Sequence, residues 1–165
     1  MKSLILYNWE VRDEYIKAFE ELPNEELIKN RKVGLGSILK TFLHIIDVEY
    51  SWICAMFNKP EITINFEEYK DLQSVSELSN KFRAEIKQYL YQWTDESEND
   101  IIFPSWMQDS SYSKGEVFRH LLVHEVHHIG QLSIWARELG ITPPSPNFIG
   151  RNFMDRAKDM KDSSR

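Results

Sequence analysis

The sequence predicts an all-α protein, a four-helix bundle with long crossover connections and a short C-terminal helix. Glycine and proline number only six each in 165 residues, which leaves few positions for the tight turns of a β-rich fold. Four long segments place apolar residues at spacings of three and four, the period of an amphipathic helix. We predict one domain over residues 1–165, and an irregular all-α domain with the same helices is the alternative.

A polar segment with two glycines separates the first two helices. The first helix is predicted over residues 4–22, because the proline that follows disfavours helix in the residue before it. Gly34 and Gly36 mark the break before the second helix. That helix is predicted from a Ser37 cap to Asn58, and its many large apolar residues make it the most buried of the four.

The third helix follows a long connection over residues 59–73, for which we expect irregular structure with one extended piece. It is predicted over residues 75–93, with Ser74 or Ser76 as its cap. Residues 94–112 then form a second long connection, whose "IIFPSW" stretch is predicted to be a strand or a hairpin edge.

The fourth helix has the clearest boundaries of the chain. It begins at "SKGE", a capping box in which the serine hydroxyl and the glutamate satisfy exposed backbone amides. It ends near Gly140, which suits the left-handed residue after a helix, and "TPP" prevents its continuation. A short helix from Phe148 is predicted to close the chain.

Charge and composition exclude several classes of function. A net charge of −6 argues against a general nucleic-acid binder, because phosphate contacts need a basic face. The N-terminal apolar run is too short for a signal peptide or a membrane span, so we expect a cytoplasmic protein without a membrane partner. The single cysteine, Cys54, cannot form an internal disulfide and is predicted to pack within its helix.

Histidines are concentrated on the fourth helix. At about 100° per residue, its four histidines and Gln131 share a face about 100° wide that borders the apolar stripe. His124 and His128 lie one turn apart, the separation at which two imidazoles can bind one ion at about 2.1 Å. We therefore predict that these two residues are metal ligands.

The pattern "HEVHH" also matches the H-E-x-x-H motif of zinc proteases. A protease needs a third ligand downstream, but position 134 is Ile and the remaining downstream acids are poorly placed. The third ligand is more credibly His44, the only other histidine, on the mixed stripe of the second helix that also contains Trp52. Three histidines with an open fourth position are typical of a catalytic metal site.

The neighbours of the predicted ligands each allow more than one interpretation. Gln131 shares the ligand face and is a candidate to hydrogen-bond a ligand histidine. His127 and His120 are candidates for substrate contacts or for purely structural roles. Glu125 lies about 100° from His124 around the helix, so it can orient a ligand only from a neighbouring position, and a solvated or inter-helix salt-bridging glutamate is at least as good an interpretation.

The chain resembles the DinB/YfiT-like family of bacterial metal-dependent enzymes. Three stretches resemble the family's motifs in order and spacing: "SILKTFLHIIDVEYSW" with His44 and Trp52, "HLLVHEVHHIGQL", and "ELGITPPSPNF". The resemblance implies an up-down-down-up bundle and a metal-binding triad of His44, His124 and His128. The chain departs from the family pattern at Ile129, where the family usually has Arg, and at Asn147, where Asp is common before Phe148.

The resemblance also implies a range of activities. Relatives include S-transferases and isomerases that use low-molecular-weight thiols such as mycothiol or bacillithiol, and dimers are frequent. We expect a divalent metal ion, with zinc or nickel as first candidates and iron, manganese or copper as alternatives. The leading hypothesis is a metal-dependent enzyme acting on a small-molecule substrate in a stress response, with a thiol S-transferase as its most specific form. A non-catalytic metal-binding module and a zinc protease are the alternatives.

Overall fold

The computed structural model describes residues 1–60, 62–107 and 109–162, with residues 159–162 described by their backbone alone. Helices dominate this part of the chain, and a single pair of two-residue strands accompanies them. The helices are α1 (Lys2–Ala18), α2 (Asn24–Ile28), α3 (Ile38–Met56), α4 (Leu72–Gln92), α5 (Lys114–Glu138) and α6 (Phe153–Asp162). The prediction of an all-α fold is confirmed. None of the described helices combines the length and the apolar character needed to span a membrane.

Helices α1, α3, α4 and α5 form a bundle in which each direction follows from side-chain pairs along its length. Helix α1 runs antiparallel to α3 and parallel to α5, while α3 and α4 run in the same direction, which gives an up-down-down-up order. The pairs that fix these directions are Trp9–Glu49 and Phe19–Phe42 for α1 with α3, Tyr50–Phe82 and Phe57–Tyr89 for α3 with α4, and Asn8–Leu122 and Arg12–Glu125 for α1 with α5.

Three helix boundaries agree with the sequence prediction because their capping residues are strong local signals. The Ser37 side chain accepts a hydrogen bond from the Lys40 amide at the start of α3. Ser113 and Glu116 form the complete capping box at the start of α5. Gly140 has a φ of +74°, as expected for the residue that follows a helix.

Helix α1 is displaced toward the N-terminus relative to the predicted range of 4–22, since it covers Lys2–Ala18. Phe19 lies just beyond its end with 0% exposure, in edge-to-face contact with Phe42. Because Phe19 is apolar and at helical spacing, it extended the predicted helix into residues that form a turn. The short α2 was not predicted, and its one buried residue, Leu27, gave too weak a pattern.

Helix α4 begins three residues earlier than predicted. Its cap is Asp71 rather than Ser74 or Ser76, and the Asp71 carboxylate accepts a hydrogen bond of 2.8 Å from the Ser74 amide. The earlier start brings Leu72 into the helix, where it is buried on the same side as Val75. An extended piece was expected in the preceding connection, but the only regular element among its described residues is a 3-10 turn, Phe66–Glu68.

The second connection contains the predicted strand. Strand β1 (Ile101–Ile102) pairs antiparallel with β2 (Tyr112–Ser113), directly before α5. The final helix begins at Phe153 rather than Phe148, because Gly150 and Asn152 both adopt positive φ between them. Phe148 instead packs against Phe153, with the two rings tilted and their centroids 5.5 Å apart.

Candidate metal centre

Three histidines meet between α3 and α5. His44 lies midway along α3, and His124 and His128 occupy successive turns of α5. The Nε2 atom of His124 lies 3.0 Å from Nε2 of His44 and 3.2 Å from Nε2 of His128. The structure therefore brings together the three residues that the sequence nominated as ligands, with one ligand atom from each within 4.8 Å of the others.

These separations suit a metal ion. Three nitrogens bound tetrahedrally at about 2.0–2.1 Å from one ion lie about 3.3 Å apart, close to the two Nε2 distances around His124. All of the described histidine contacts in the cluster use the same ring nitrogen, so the three lone pairs converge when Nε2 is unprotonated. The cluster therefore has a geometry that could hold a divalent ion through three histidines.

Gln131 connects the cluster to the next layer of side chains. Its Oε1 atom lies 3.0 Å from Nδ1 of His128, and its Nε2 atom lies 3.0 Å from Nε2 of His127. In this arrangement the His128 Nδ1–H donates to Gln131, and the Gln131 amide donates to His127. The first hydrogen bond keeps the His128 proton on Nδ1, which leaves its Nε2 lone pair free for a metal.

Burial keeps the cluster uncharged. Desolvation, followed by the fields of His128 and His44, lowers the pKa of His124 to about 3. Burial also lowers the pKa of His44, with a further contribution from His128, and it lowers the pKa of His128. Neutral imidazoles are the form that binds metals, so these three histidines are in the form that could hold an ion at neutral pH.

Gly34, which the sequence predicts only as a break between helices, touches this layer. Gly34 has a φ of +62°, and a Cβ added there would lie 3.0 Å from Gln131 Oε1 and 3.5 Å from the Trp135 ring. The loop between α2 and α3 thus rests on the residue that orients His128. Sequence periodicity contains no signal for such a contact, because it depends on how the loop folds over α5.

Glu125 lies on the other side of α5 from the histidines. It is 3% exposed, and its two oxygens accept hydrogen bonds of 2.7 Å from Nε and Nη2 of the fully buried Arg12. Arg12 Nη1 also donates to Glu49 and to Ser79. Burial opposes the charge of Arg12, but the Glu125 and Glu49 carboxylates outweigh it and raise the pKa of the guanidinium. The inter-helix salt bridge considered for Glu125 is therefore present, and this engagement argues against its use as a protease base.

The other candidate residues, His120 and Trp52, lie beside the histidine cluster. His120 is exposed, one turn before His124, with the two rings 5.5 Å apart. Trp52 is half-buried, and its ring lies 6.0 Å from that of His120. Cys54 is buried as predicted, and burial raises the pKa of its thiol, which suits packing rather than nucleophilic chemistry.

Comparison with known proteins gives consistent relationships. A family model described as the DinB family matches residues 1–160. The uncharacterized protein YizA of Bacillus subtilis (strain 168) is 45% identical over 153 residues, which are 93% of this chain and 96% of that protein. A crystal structure of a DinB-like protein from Bacillus cereus ATCC 10987 has a TM-score of 0.64 and 19% identity, over 85% of this chain and 93% of that one. At that identity the likeness concerns the fold alone.

Proposed function

Because this chain belongs to the DinB family, we propose that it is a metal-dependent enzyme whose centre is the three-histidine cluster. The observation that carries the proposal is the approach of the His44 and His128 Nε2 atoms to that of His124, at 3.0 and 3.2 Å, with a ligand atom from each histidine within 4.8 Å of the others. Three protein ligands leave a fourth position for a small molecule, as in catalytic rather than structural sites. Zinc and nickel are the first candidates for the ion.

The bound ion would act as a Lewis acid that polarises a substrate atom or favours ionisation of a bound thiol or water. The protein's own residues then have separate tasks. His44, His124 and His128 hold the ion, and Gln131 fixes the orientation of His128 through its Nδ1–H. His120, exposed beside His124, is placed to take up or return a proton.

The more specific form of the proposal is a thiol S-transferase acting on small electrophiles. The buried Cys54 argues against a nucleophile from the chain itself, so the sulfur would come from a low-molecular-weight thiol. That thiol would lose its proton, its sulfur would bond to an electrophilic carbon, and the leaving group would depart with the bonding electron pair. We also predict a role in a stress response, a homodimer, a cytoplasmic location and a single domain.

Simple measurements distinguish this function from two others, a non-catalytic metal-binding module and a zinc protease. A non-catalytic metal-binding module predicts an ion whose coordination does not change when a thiol is added. A zinc protease predicts peptide cleavage that disappears in Glu125→Gln. The second is disfavoured by the two 2.7 Å hydrogen bonds that Arg12 donates to Glu125 inside the bundle.

The test begins with metal analysis of protein purified without a nickel column. We expect about one divalent ion per chain, its loss in His44→Ala, and its retention in the control His127→Ala, which removes a neighbouring histidine outside the cluster. Full metal retention in His44→Ala would contradict the three-histidine site. In the cobalt-substituted protein, a change in the visible spectrum on adding a low-molecular-weight thiol is expected for the transferase, and no change favours the non-catalytic module.

A further inference from the structure

An aromatic pocket lies next to the histidine cluster, between the start of α5 and the outer part of α3. Its volume is about 270 Å³. It is formed by residues of α3, the second connection, β2 and α5. The lining residues are Trp52, Met107, Tyr112, Glu116, Val117 and His120.

His120 joins this pocket to the cluster. It lines the pocket, its ring lies 5.5 Å from the His124 ring, and it is 6.0 Å from Trp52. Trp52 itself lies on α3 two turns after His44, on the side of that helix that faces α5. The pocket therefore adjoins the cluster through the His120 ring, which contacts both Trp52 and His124.

The walls of the pocket favour apolar groups. Trp106 and Tyr112 both contact the Trp52 ring edge to face, at centroid distances of 5.1 and 5.8 Å. These contacts support the Trp52 ring in the pocket wall, and Met107 adds a polarisable sulfur. The walls are therefore suited to an apolar group of adaptable shape.

Glu116, the one carboxylate among the described lining residues, is already engaged. Glu116 Oε2 accepts hydrogen bonds of 2.9 Å from both the amide and the hydroxyl of Ser113 in the capping box. Lysine and arginine are missing from the described residues that line the pocket, so a substrate carboxylate or phosphate would find no cation there. The charged part of any ligand must therefore lie elsewhere.

We propose that this pocket holds the apolar part of the substrate, a single aromatic ring or a short branched alkyl group, and directs the adjoining polar atom to the metal. Trp52 and Met107 are the residues that set this specificity. The size agrees, because a cavity of about 150 Å³ accommodates benzene. This inference rests on the proposed function, since it assigns the substrate class of the same centre.

Two hydroxamates separate the pocket from the metal centre. Acetohydroxamate and benzohydroxamate share a metal-binding group and differ by a ring. With zinc-loaded protein, we expect benzohydroxamate to bind roughly tenfold more tightly, as burial of most of one ring predicts. The affinity of each is measured by titration calorimetry on the full chain.

Variants then locate the origin of the preference. Trp52→Ala should reduce the ratio of the two affinities to about one while zinc remains bound. Met107→Glu should do the same without removing core volume, because Met107 is 38% exposed and the new carboxylate opposes an apolar ring. The control Phe103→Ala, at an exposed residue in the same connection but outside the pocket, should keep the wild-type ratio.

Failure of the pocket and failure of the metal centre give different results. If both hydroxamates bind wild-type protein equally, or if the ratio survives in both pocket variants, the pocket assignment is overturned and the open metal site stands. If neither hydroxamate binds the zinc-loaded protein, the centre has no open position, and the proposed function falls together with the pocket.

Discussion

Two polar clusters lie on opposite sides of α5, the histidine cluster and the Arg12 network. Adjacent residues of α5, His124 and Glu125, belong one to each. His124 points toward α3 into the half-exposed histidine cluster, whereas Glu125 points toward α1 into a network that is almost fully buried. In the network each of these charged groups has a hydrogen-bond partner: Arg12 contacts Glu125 and Glu49, and Glu49 also accepts a 2.7 Å bond from the Trp9 indole. In the cluster three neutral rings direct the same nitrogen to one point.

The difference is one between a self-contained structural network and a candidate metal site. A buried network whose donors and acceptors are matched needs no ligand and orders the helices that supply it. A set of converging lone pairs is electrostatically incomplete and gains from a cation. One turn of α5 thus contributes to both, and the two clusters should respond differently to mutation and to metal.

Removal of the central cation of the network should have the largest effect. Arg12→Ala leaves Glu125 and Glu49 buried without their partner, so we expect a loss of about 3–5 kcal/mol in the free energy of unfolding. Urea denaturation of the metal-free protein measures it. Arg156→Ala, which removes a 48% exposed partner of Glu10, is the control and should cost less than about 1 kcal/mol. Equal losses in both variants would mean that the network is not the structural centre.

Metal removal should lower the stability of the protein only by the amount that zinc binding at the histidine cluster adds. At a free zinc concentration 100 times its Kd, binding adds about 2.7 kcal/mol to the stability, which corresponds to a rise in Tm of roughly 5–10 °C. Chelation should reverse the rise, and His124→Ala should abolish it. Without zinc, His124→Ala should unfold near the midpoint of the metal-free wild-type protein, because removal of a half-buried neutral ring leaves no buried charge without a partner. Scanning calorimetry with and without zinc provides the comparison, and a zinc-dependent rise that persists in His124→Ala would contradict it.

The sequence predicted one of these clusters better than the other. His124 and His128 could be identified because their spacing is a local property of one helix, and His44 because it was the one remaining histidine and matched the family resemblance. Arg12 and Glu49 were not identified, since periodicity arguments assign charged residues to the surface. A signal was present: Arg12 stands three residues after Trp9 and four before Ile16, on the buried stripe of α1.

The fold divides in the same way into local and long-range information. The Ser37 cap and the capping box are short-range hydrogen bonds, so the sequence placed them correctly. The end of α1 depends on Phe19 packing against Phe42 of another helix, and no local pattern contains that contact. The aromatic pocket has the same origin, because residues of α3, the second connection and α5 form it together.

Gln131→Ala should weaken the metal centre without touching the network. The substitution removes the acceptor for His128 Nδ1–H, so the ring loses its fixed tautomer and orientation. Loss of such a partner typically reduces metal affinity 10–100-fold. Competition with a chromophoric chelator measures the zinc Kd, and Ile134→Ala, an exposed apolar residue on the same helix, is the control. An unchanged Kd would show that the hydrogen bond does not orient the ligand.

Gly34→Ala should have the smallest effect and tests whether the loop before α3 supports the metal centre. The left-handed φ of +62° costs an alanine about 1 kcal/mol of stability. The new methyl group would also press on Gln131 Oε1 at 3.0 Å, so zinc affinity should fall, but by less than in Gln131→Ala. Combining the two substitutions distinguishes these causes: if the loop acts through Gln131, the double variant should bind zinc no more weakly than Gln131→Ala alone, while the stability loss from the strained backbone remains. Additive losses of affinity would mean that the loop reaches the centre by another route.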